Sequence, residues 1–307
     1  MKKISMQTGD LPLQFGIDKG YALIAEAGFE GIDWSLDHGI KPSMIRDLNY
    51  RGNCLFDKSL DEVMTYYEPS LKAIRREGLA FSQAHAIFPS YIYGHPEIID
   101  WAVEMHKRTI ELVEAVDCPH LVIHSVCRVQ DMTDEETETL NMRLYMPLAD
   151  FLRDRKTTVC LEDLFIVENG QYKPGCCVDP AQAVRYIDRL NERAGRPDAF
   201  GFCLDTGHLL LLKQDPVAFV HTLGKRITAL HLHDNPGNSD AHLAPLTGAF
   251  DWNGFLAALK DVGYSGDLSF ETFMQTNKAF DVDPDLVLPW LKLIRAEGEC
   301  FRKKVFG

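Results

Sequence analysis

Eight times along 307 residues, an apolar run of four to seven residues is followed by a longer amphipathic stretch. An apolar run that short reads as a buried strand and a 3.6-residue apolar period as a helix, so the alternation describes repeated βα units. The strands are expected at Ile4 to Gln7, Gly31 to Leu36, Leu79 to His85, His120 to Ser125, Thr158 to Glu162, Phe200 to Asp205, Ile227 to His233 and Asp267 to Glu271. Helices are expected near 18–27, 60–77, 97–115, 134–155, 180–193, 216–224, 252–262 and 284–301. With no linker rich in proline, glycine or serine between repeats, the pattern predicts an α/β chain folded as a single (β/α)8 barrel, one domain spanning 1–307. An open doubly wound sheet is the alternative, but the GxGxxG turn of its nucleotide-binding form does not follow the first strand.

The helix starts support this division. Asp179-Pro180 and Asp215-Pro216 each place a capping carboxylate before a proline at the first helical position, and Thr133 with Glu136 has the spacing of a capping box. Lysine and arginine number 32 against 45 acids, a net charge of −13, which disfavours a nucleic-acid partner because such a surface repels phosphates. The longest aliphatic run, Leu209 to Leu212, is far short of the roughly 20 residues that cross a bilayer, so no membrane partner is expected. The first residues reach Asp10 before a long apolar region forms, so no secretory signal is read and a cytoplasmic location is expected. Eight cysteines without a CxxC pair, Cys160 and Cys203 among them inside apolar runs, read as reduced core residues. The vicinal Cys176-Cys177 pair is placed in a loop, with no role assigned.

What terminates the strands carries the chemistry. Six consecutive runs end at His85, His124, Glu162, Asp205, His231 and Glu271. In a parallel barrel the strand ends share one face, the face where barrel enzymes build their sites. Carboxylates converging there raise one another's pKa values unless a cation neutralises them. Glu162, Asp205, His231 and Glu271 form an oxygen and nitrogen set suited to one divalent ion, Mn²⁺, Co²⁺, Mg²⁺ or Zn²⁺, and the lack of thiolates argues against a structural zinc.

The remaining polar and aromatic residues are read as substrate contacts set against plainer roles. His85 and His124 are expected to touch substrate or support the ligands rather than ligate. His208, in Asp205-Thr206-Gly207-His208, lies one tight turn past a ligand and within reach of a substrate hydroxyl, with loop or capping histidine as the plain reading. His233 lies beyond the strand end, turned by alternation the same way as His231. Asp240 and His242 fall in a loop with asparagine and glycine, where spacing alone does not decide between solvent and site. Trp34, Phe88 and Trp252 are candidates to stack on a sugar face or simply to pack.

Taken together, Leu161-Glu162, Leu204-Asp205-Thr206-Gly207-His208, His231-Leu232-His233-Asp234-Asn235, Asp240-Ala241-His242-Leu243, Asp251-Trp252 and Phe270-Glu271 resemble the xylose-isomerase-like barrel superfamily of sugar isomerases and epimerases, from about His85 onward. The resemblance implies a divalent metal on Glu162, Asp205, His231 and Glu271, with substrate oxygens completing its shell. It also implies that Glu162 and Glu271 move a proton at the carbon beside a carbonyl through an enediolate. Return to the opposite face epimerises, return to the adjacent carbon isomerises, and loss of a β-hydroxyl dehydrates, as in the related inosose dehydratases. Two departures stand out: Asn235 to His242 holds no arginine where ketose 3-epimerases carry one, and the loop before Asp251-Trp252 reads Pro245-Leu246-Thr247-Gly248. No glycine-rich phosphate loop follows strand seven or eight, which favours a free sugar or cyclitol over its phosphate.

A second resemblance competes. His85, His124, Glu162, Asp205, His208, His231, Asp240, His242 and Glu271 resemble the nine ligands of the three-zinc apurinic endonuclease IV, against which the acidic charge stands. A sugar-binding scaffold without chemistry is a third reading, disfavoured because converging ionisable groups are costly to keep. The expectation is a metal-dependent sugar or cyclitol isomerase or epimerase with a dehydratase as the alternative, and a homo-oligomer is left open.

Overall fold

The computed structural model describes residues 2–36, 39–129 and 132–307. Its strands are β1 (Ile4–Gln7), β2 (Gly31–Ser35), β3 (Ala80–His85), β4 (His120–Val122), β5 (Thr158–Glu162), β6 (Phe165–Glu168), β7 (Gln171–Pro174), β8 (Phe200–Asp205), β9 (Ile227–His231) and β10 (Leu268–Phe270). Eight of them form one sheet in the order β10-β1-β2-β3-β4-β5-β8-β9, parallel wherever register is fixed, as in Ser5 opposite Gly31 and Leu121 opposite Val159. A parallel bridge between Leu232 and Phe270 joins β9 to β10, the two ends of that order, so the sheet closes as a (β/α)8 barrel with helices between its strands. Strands buried on both sides need apolar residues throughout, which is why β1, β5 and β8 are buried from end to end and read as unbroken runs.

By packing, the chain divides into two compact units, Met1–Trp34 with Glu68–Ser82 and Cys203–Gly307, and Ser35–Tyr67 with Gln83–Phe202. In the first unit, helices Ile17–Glu26, Trp252–Asp261 and Val287–Phe306 cover a core that includes Ile4, Met6, Ile32 and Phe270. In the second, helices Glu97–Ala115, Asp134–Leu152 and Pro180–Ala194 bury Ile98, Leu144, Tyr145 and Ile187.

The caps form as their residue types dictate. Asp179 accepts from the Ala181 N–H, Asp215 from those of Val217 and Ala218, and Thr133 with Glu136 closes a reciprocal capping box. Among the described residues the eight cysteines form no disulfide, and Cys160 and Cys203 are fully buried. Among the described residues no helix is long and apolar enough to cross a membrane.

Several expected boundaries move. β4 stops at Val122, so His124 stands on the segment after the strand, and β9 stops at His231, leaving His233 beyond it. The antiparallel hairpin of β6 and β7 and helix Phe273–Val282 were not expected, nor were Leu11–Phe15, Pro42–Arg46 and Thr206–Leu211, which are too short for a 3.6-residue repeat to show.

Candidate active site

In the first unit, four imidazoles and five carboxylates gather around the ends of β8, β9 and β10. Asp205, the last residue of β8, is fully buried and caps the helix that follows by accepting the His208 N–H at 2.8 Å. Its two carboxylate oxygens lie 2.9 and 3.0 Å from Nε2 of His233. His231 ends β9 with no solvent exposure, its Nδ1 3.5 Å from Glu271 Oε2 and 3.9 Å from Asp205 Oδ2. Its other nitrogen, Nε2, lies 3.0 Å from Asp33 Oδ2. Glu271, one residue past β10, accepts from Gln7 Nε2 at 2.7 Å.

The loop after β9 folds back to complete the group. Asp234 exchanges both backbone hydrogen bonds with Leu243, and its buried carboxylate accepts from the Asn235 and Phe250 N–H groups and from Trp252 Nε1. That pairing sets His242 against Glu271, where its Nδ1 lies 3.1 Å from the Glu271 carbonyl and its Nε2 3.1 Å from Asp240 Oδ2. His242 adopts φ +40°, a left-handed conformation that costs about 1 kcal/mol for a non-glycine residue and is sustained by these two contacts. Its ring stacks on that of His233 at 4.1 Å. His208 stands at the rim, with Nε2 3.9 Å from Asp240 Oδ2.

Two glycines follow from close approach. A Cβ at Gly207 would come within 1.9 Å of the His233 ring, and one at Gly248 within 2.2 Å of the Asp234 carboxylate. Only hydrogen fits either place.

Burial alone would push the His242 imidazole down, but the Glu271, Asp240 and Asp205 carboxylates overcome it and raise it to about 9. In His233 burial wins over Asp205 and holds the ring below its usual value. Asp240 is lowered: burial works against it, and the His242 hydrogen bond and charge decide.

The second unit holds a smaller cluster. His85 ends β3 with Nδ1 2.9 Å from the Ala86 carbonyl, which places that ring proton on Nδ1 and leaves Nε2 as an acceptor, 3.0 Å from His124 Nε2. His124 Nε2 also lies 3.0 Å from Oε2 of Glu162, the last residue of β5. The three donors are within 4.8 Å of one another, as are those of His233, His242 and Glu271, so each group could hold a metal ion. Buried Asn141 clamps the segment carrying His124 by bonding both the N–H and the carbonyl of Val126. Phe88, half-buried, lies 4.6 Å from the His124 ring.

Trp34 and Trp252 correct the expectation of a stacking face. Strand alternation turns Trp34 away from Asp33, onto Phe81 and a hydrogen bond with Tyr21, leaving it 2% exposed. Trp252 is buried against Phe301 with its N–H spent on Asp234. Both are packing residues, and of the three aromatics Phe88 stays at the histidines. Asp240 and His242, undecided by spacing, are largely buried and belong with Glu271. Sequence reasoning missed Asp33, Gln7 and Asn141; an acid inside the apolar strand Gly31–Ser35 was the available signal for Asp33.

The chain belongs to the xylose isomerase-like TIM barrel family, whose pattern matches residues 21–304. It is 28% identical over 270 residues to the uncharacterized protein y4fM of Sinorhizobium fredii (strain NBRC 101917 / NGR234), covering 84% of this chain and 82% of that one. It is 22% identical to the L-ribulose 3-epimerase of Methylomonas sp. (strain DH-1), covering 84% and 79%. Among solved structures it resembles the 3-keto-D-glucoside 4-epimerase YcjR of E. coli with a TM-score of 0.69 at 16% identity, covering 96% and 100%.

Proposed function

We propose that this protein is a sugar or cyclitol epimerase or isomerase that moves a proton at the carbon beside a carbonyl. Family membership and the two named relatives support an enzyme acting on carbohydrates. Their names share one piece of chemistry: C3 of a ketose adjoins its carbonyl, and so does C4 of a 3-keto glucoside. Both inversions can proceed by removing the hydrogen that the carbonyl acidifies, forming an enediolate, and returning it to the other face.

The observation that carries the proposal is the environment of His231 Nδ1. In the neutral form the ring's one proton sits on Nε2, donated in a hydrogen bond to Asp33, because a carboxylate only accepts. Nδ1 then points a lone pair at the carboxylates of Glu271 and Asp205, 3.5 and 3.9 Å away. A lone pair with a carboxylate oxygen on each of two sides at those distances asks for a cation, and nitrogen with oxygen donors suits Mn²⁺, Co²⁺, Mg²⁺ or Zn²⁺. The ligands we assign are Asp205, His231 and Glu271 together with Glu162. A divalent ion held there would polarise the substrate carbonyl and offset the negative charge that develops on its oxygen.

The chain's own residues do the rest. Glu271, oriented by Gln7, and Glu162 are the acid and base that take and return the proton. His124 and His208 offer contacts to substrate hydroxyls, His85, His233 and His242, whose nitrogens are already held by His124, Asp205 and Asp240, back them, and Phe88 offers a face for the apolar side of a sugar ring. Loss of a β-hydroxyl after the same proton removal would make the enzyme a dehydratase.

A second reading, a multi-zinc hydrolase, is favoured by the His85, His124 and Glu162 group, which adds two histidines to the donors around Glu162. Elemental analysis of protein purified without added metal or chelator decides between them. About one divalent ion per chain, with deuterium uptake from D₂O into ketoses or inososes, supports the proposal. Close to three zincs per chain, with no uptake, would replace it with the hydrolase.

A further inference from the structure

Asp33 lies where neither the motifs nor the resemblance reached. It is the third residue of β2, fully buried, and its Oδ2 lies 3.0 Å from Nε2 of His231, itself fully buried and 198 residues away. β2 is held by β1, where Gln7 lies opposite Asp33 in the parallel register. The backbone carbonyl of Asp33 also accepts the Thr8 N–H at 2.9 Å. The carboxylate is therefore placed by the sheet rather than by a mobile loop.

A buried imidazole beside a buried carboxylate has its tautomer chosen for it. In the neutral ring the hydrogen sits on Nε2, where it is bonded, and the lone pair on Nδ1. The reverse tautomer would face two lone pairs together at 3.0 Å in a site without solvent, a loss of the kind that burial makes expensive. A carboxylate partner also makes the imidazole a stronger donor at its other nitrogen, because negative charge on the N–H side pushes electron density across the ring.

We propose that Asp33 is the positioning residue of the metal site: it fixes His231 as the Nε2–H tautomer and presents Nδ1, beside Glu271 and Asp205, to a divalent cation. The inference rests on the cation assigned to this cluster under the proposed function. It adds the reason why His231 ligates through Nδ1 and why an acid is kept inside a buried strand. Gln7 plays the matching part for Glu271 from the neighbouring strand, so both residues stand on elements that carry no ligand themselves.

Two readouts separate this role from simple packing. Mn²⁺ affinity is measured by titration calorimetry for the parent, Asp33→Asn and Asp33→Ala, and the His231 tautomer by ¹⁵N imidazole shifts in metal-free protein. The asparagine keeps an oxygen that accepts from Nε2 but not the charge, so about tenfold weaker Mn²⁺ binding with the Nε2–H tautomer retained is expected. The alanine should lose up to about 100-fold and populate both tautomers. If Asp33→Ala fails to fold, Asp33→Asn alone decides, because a packing residue replaced by its isostere would leave affinity unchanged. Parental Mn²⁺ affinity in Asp33→Asn, or a parent His231 protonated on Nδ1, would overturn the inference. A parent that binds no Mn²⁺ while its His231 is the Nε2–H tautomer would instead overturn the metal reading, and with it the purpose assigned to Asp33.

Discussion

Two buried histidines, one in each unit, are shifted in opposite directions. His106, on helix Glu97–Ala115, is fully buried with Ser90 Oγ 3.1 Å from its Nε2, and burial, helped by the nearby His124, pushes it down to about 3. His242 is almost as buried, yet it is raised to about 9 because Glu271, Asp240 and Asp205 outweigh the cost of removing it from water. The difference is the company, not the depth. One region keeps histidine as a neutral hydrogen-bonding core residue, and the other concentrates negative charge of the kind that a cation would offset.

That contrast yields an ordered set of expectations. Asp205→Ala and His231→Ala should lose essentially all bound divalent metal by elemental analysis and all turnover, whereas His106→Asn should keep its metal; parental metal content in both of the first two would sink the ligand assignment. Next, Gly207→Ala should lower kcat by about 100-fold, since the new methyl must displace the His233 ring and an error of an ångström in an active site costs about that much. Steady-state kinetics with circular dichroism as a folding control would check it, and a parental kcat would show that His233 is not needed where it stands.

The charge-poor region is tested by pH. The folded value of His106 lies below its unfolded value of 6.5, so its contribution to stability is complete above pH 6.5 and is lost as pH falls toward 3. Between pH 7 and pH 5 the loss is about 2 kcal/mol, read as a fall in the urea midpoint that His106→Asn should largely abolish. An equal fall in the variant would assign the acid sensitivity elsewhere. The smallest effect is expected at Phe88→Ala, a rise in KM of roughly fivefold with kcat little changed, as for an aromatic face lost from a sugar site at about 1 kcal/mol.

How much was legible follows from where the information sits. Glu162, Asp205 and His231 end their strands as the apolar runs imply, because a buried strand terminates where a polar group can face the barrel mouth. Asp33 showed only as an acid inside an apolar strand, because its meaning lies in a partner 198 residues away. Trp34 was misread because alternation assigns neighbours in a strand to opposite sides, and the side taken by Asp33 was not known. The β6–β7 hairpin had a signal in Asn169-Gly170, both with positive φ as a type I′ turn requires, but strands of four residues hid it. The loop carrying Asp240 and His242 has no period to read, and the buried anchor at Asp234 is what brings it to Glu271.

The central claim, that two carboxylates move a proton beside a carbonyl, is tested most directly by exchange in D₂O. The metal-loaded parent should incorporate deuterium at the carbon adjoining the carbonyl of a ketose or inosose substrate. Glu162→Gln and Glu271→Gln should each reduce turnover by about 10³-fold or more, and together they should abolish exchange. Turnover without solvent deuterium in the parent, or parental exchange in both variants, would contradict the account.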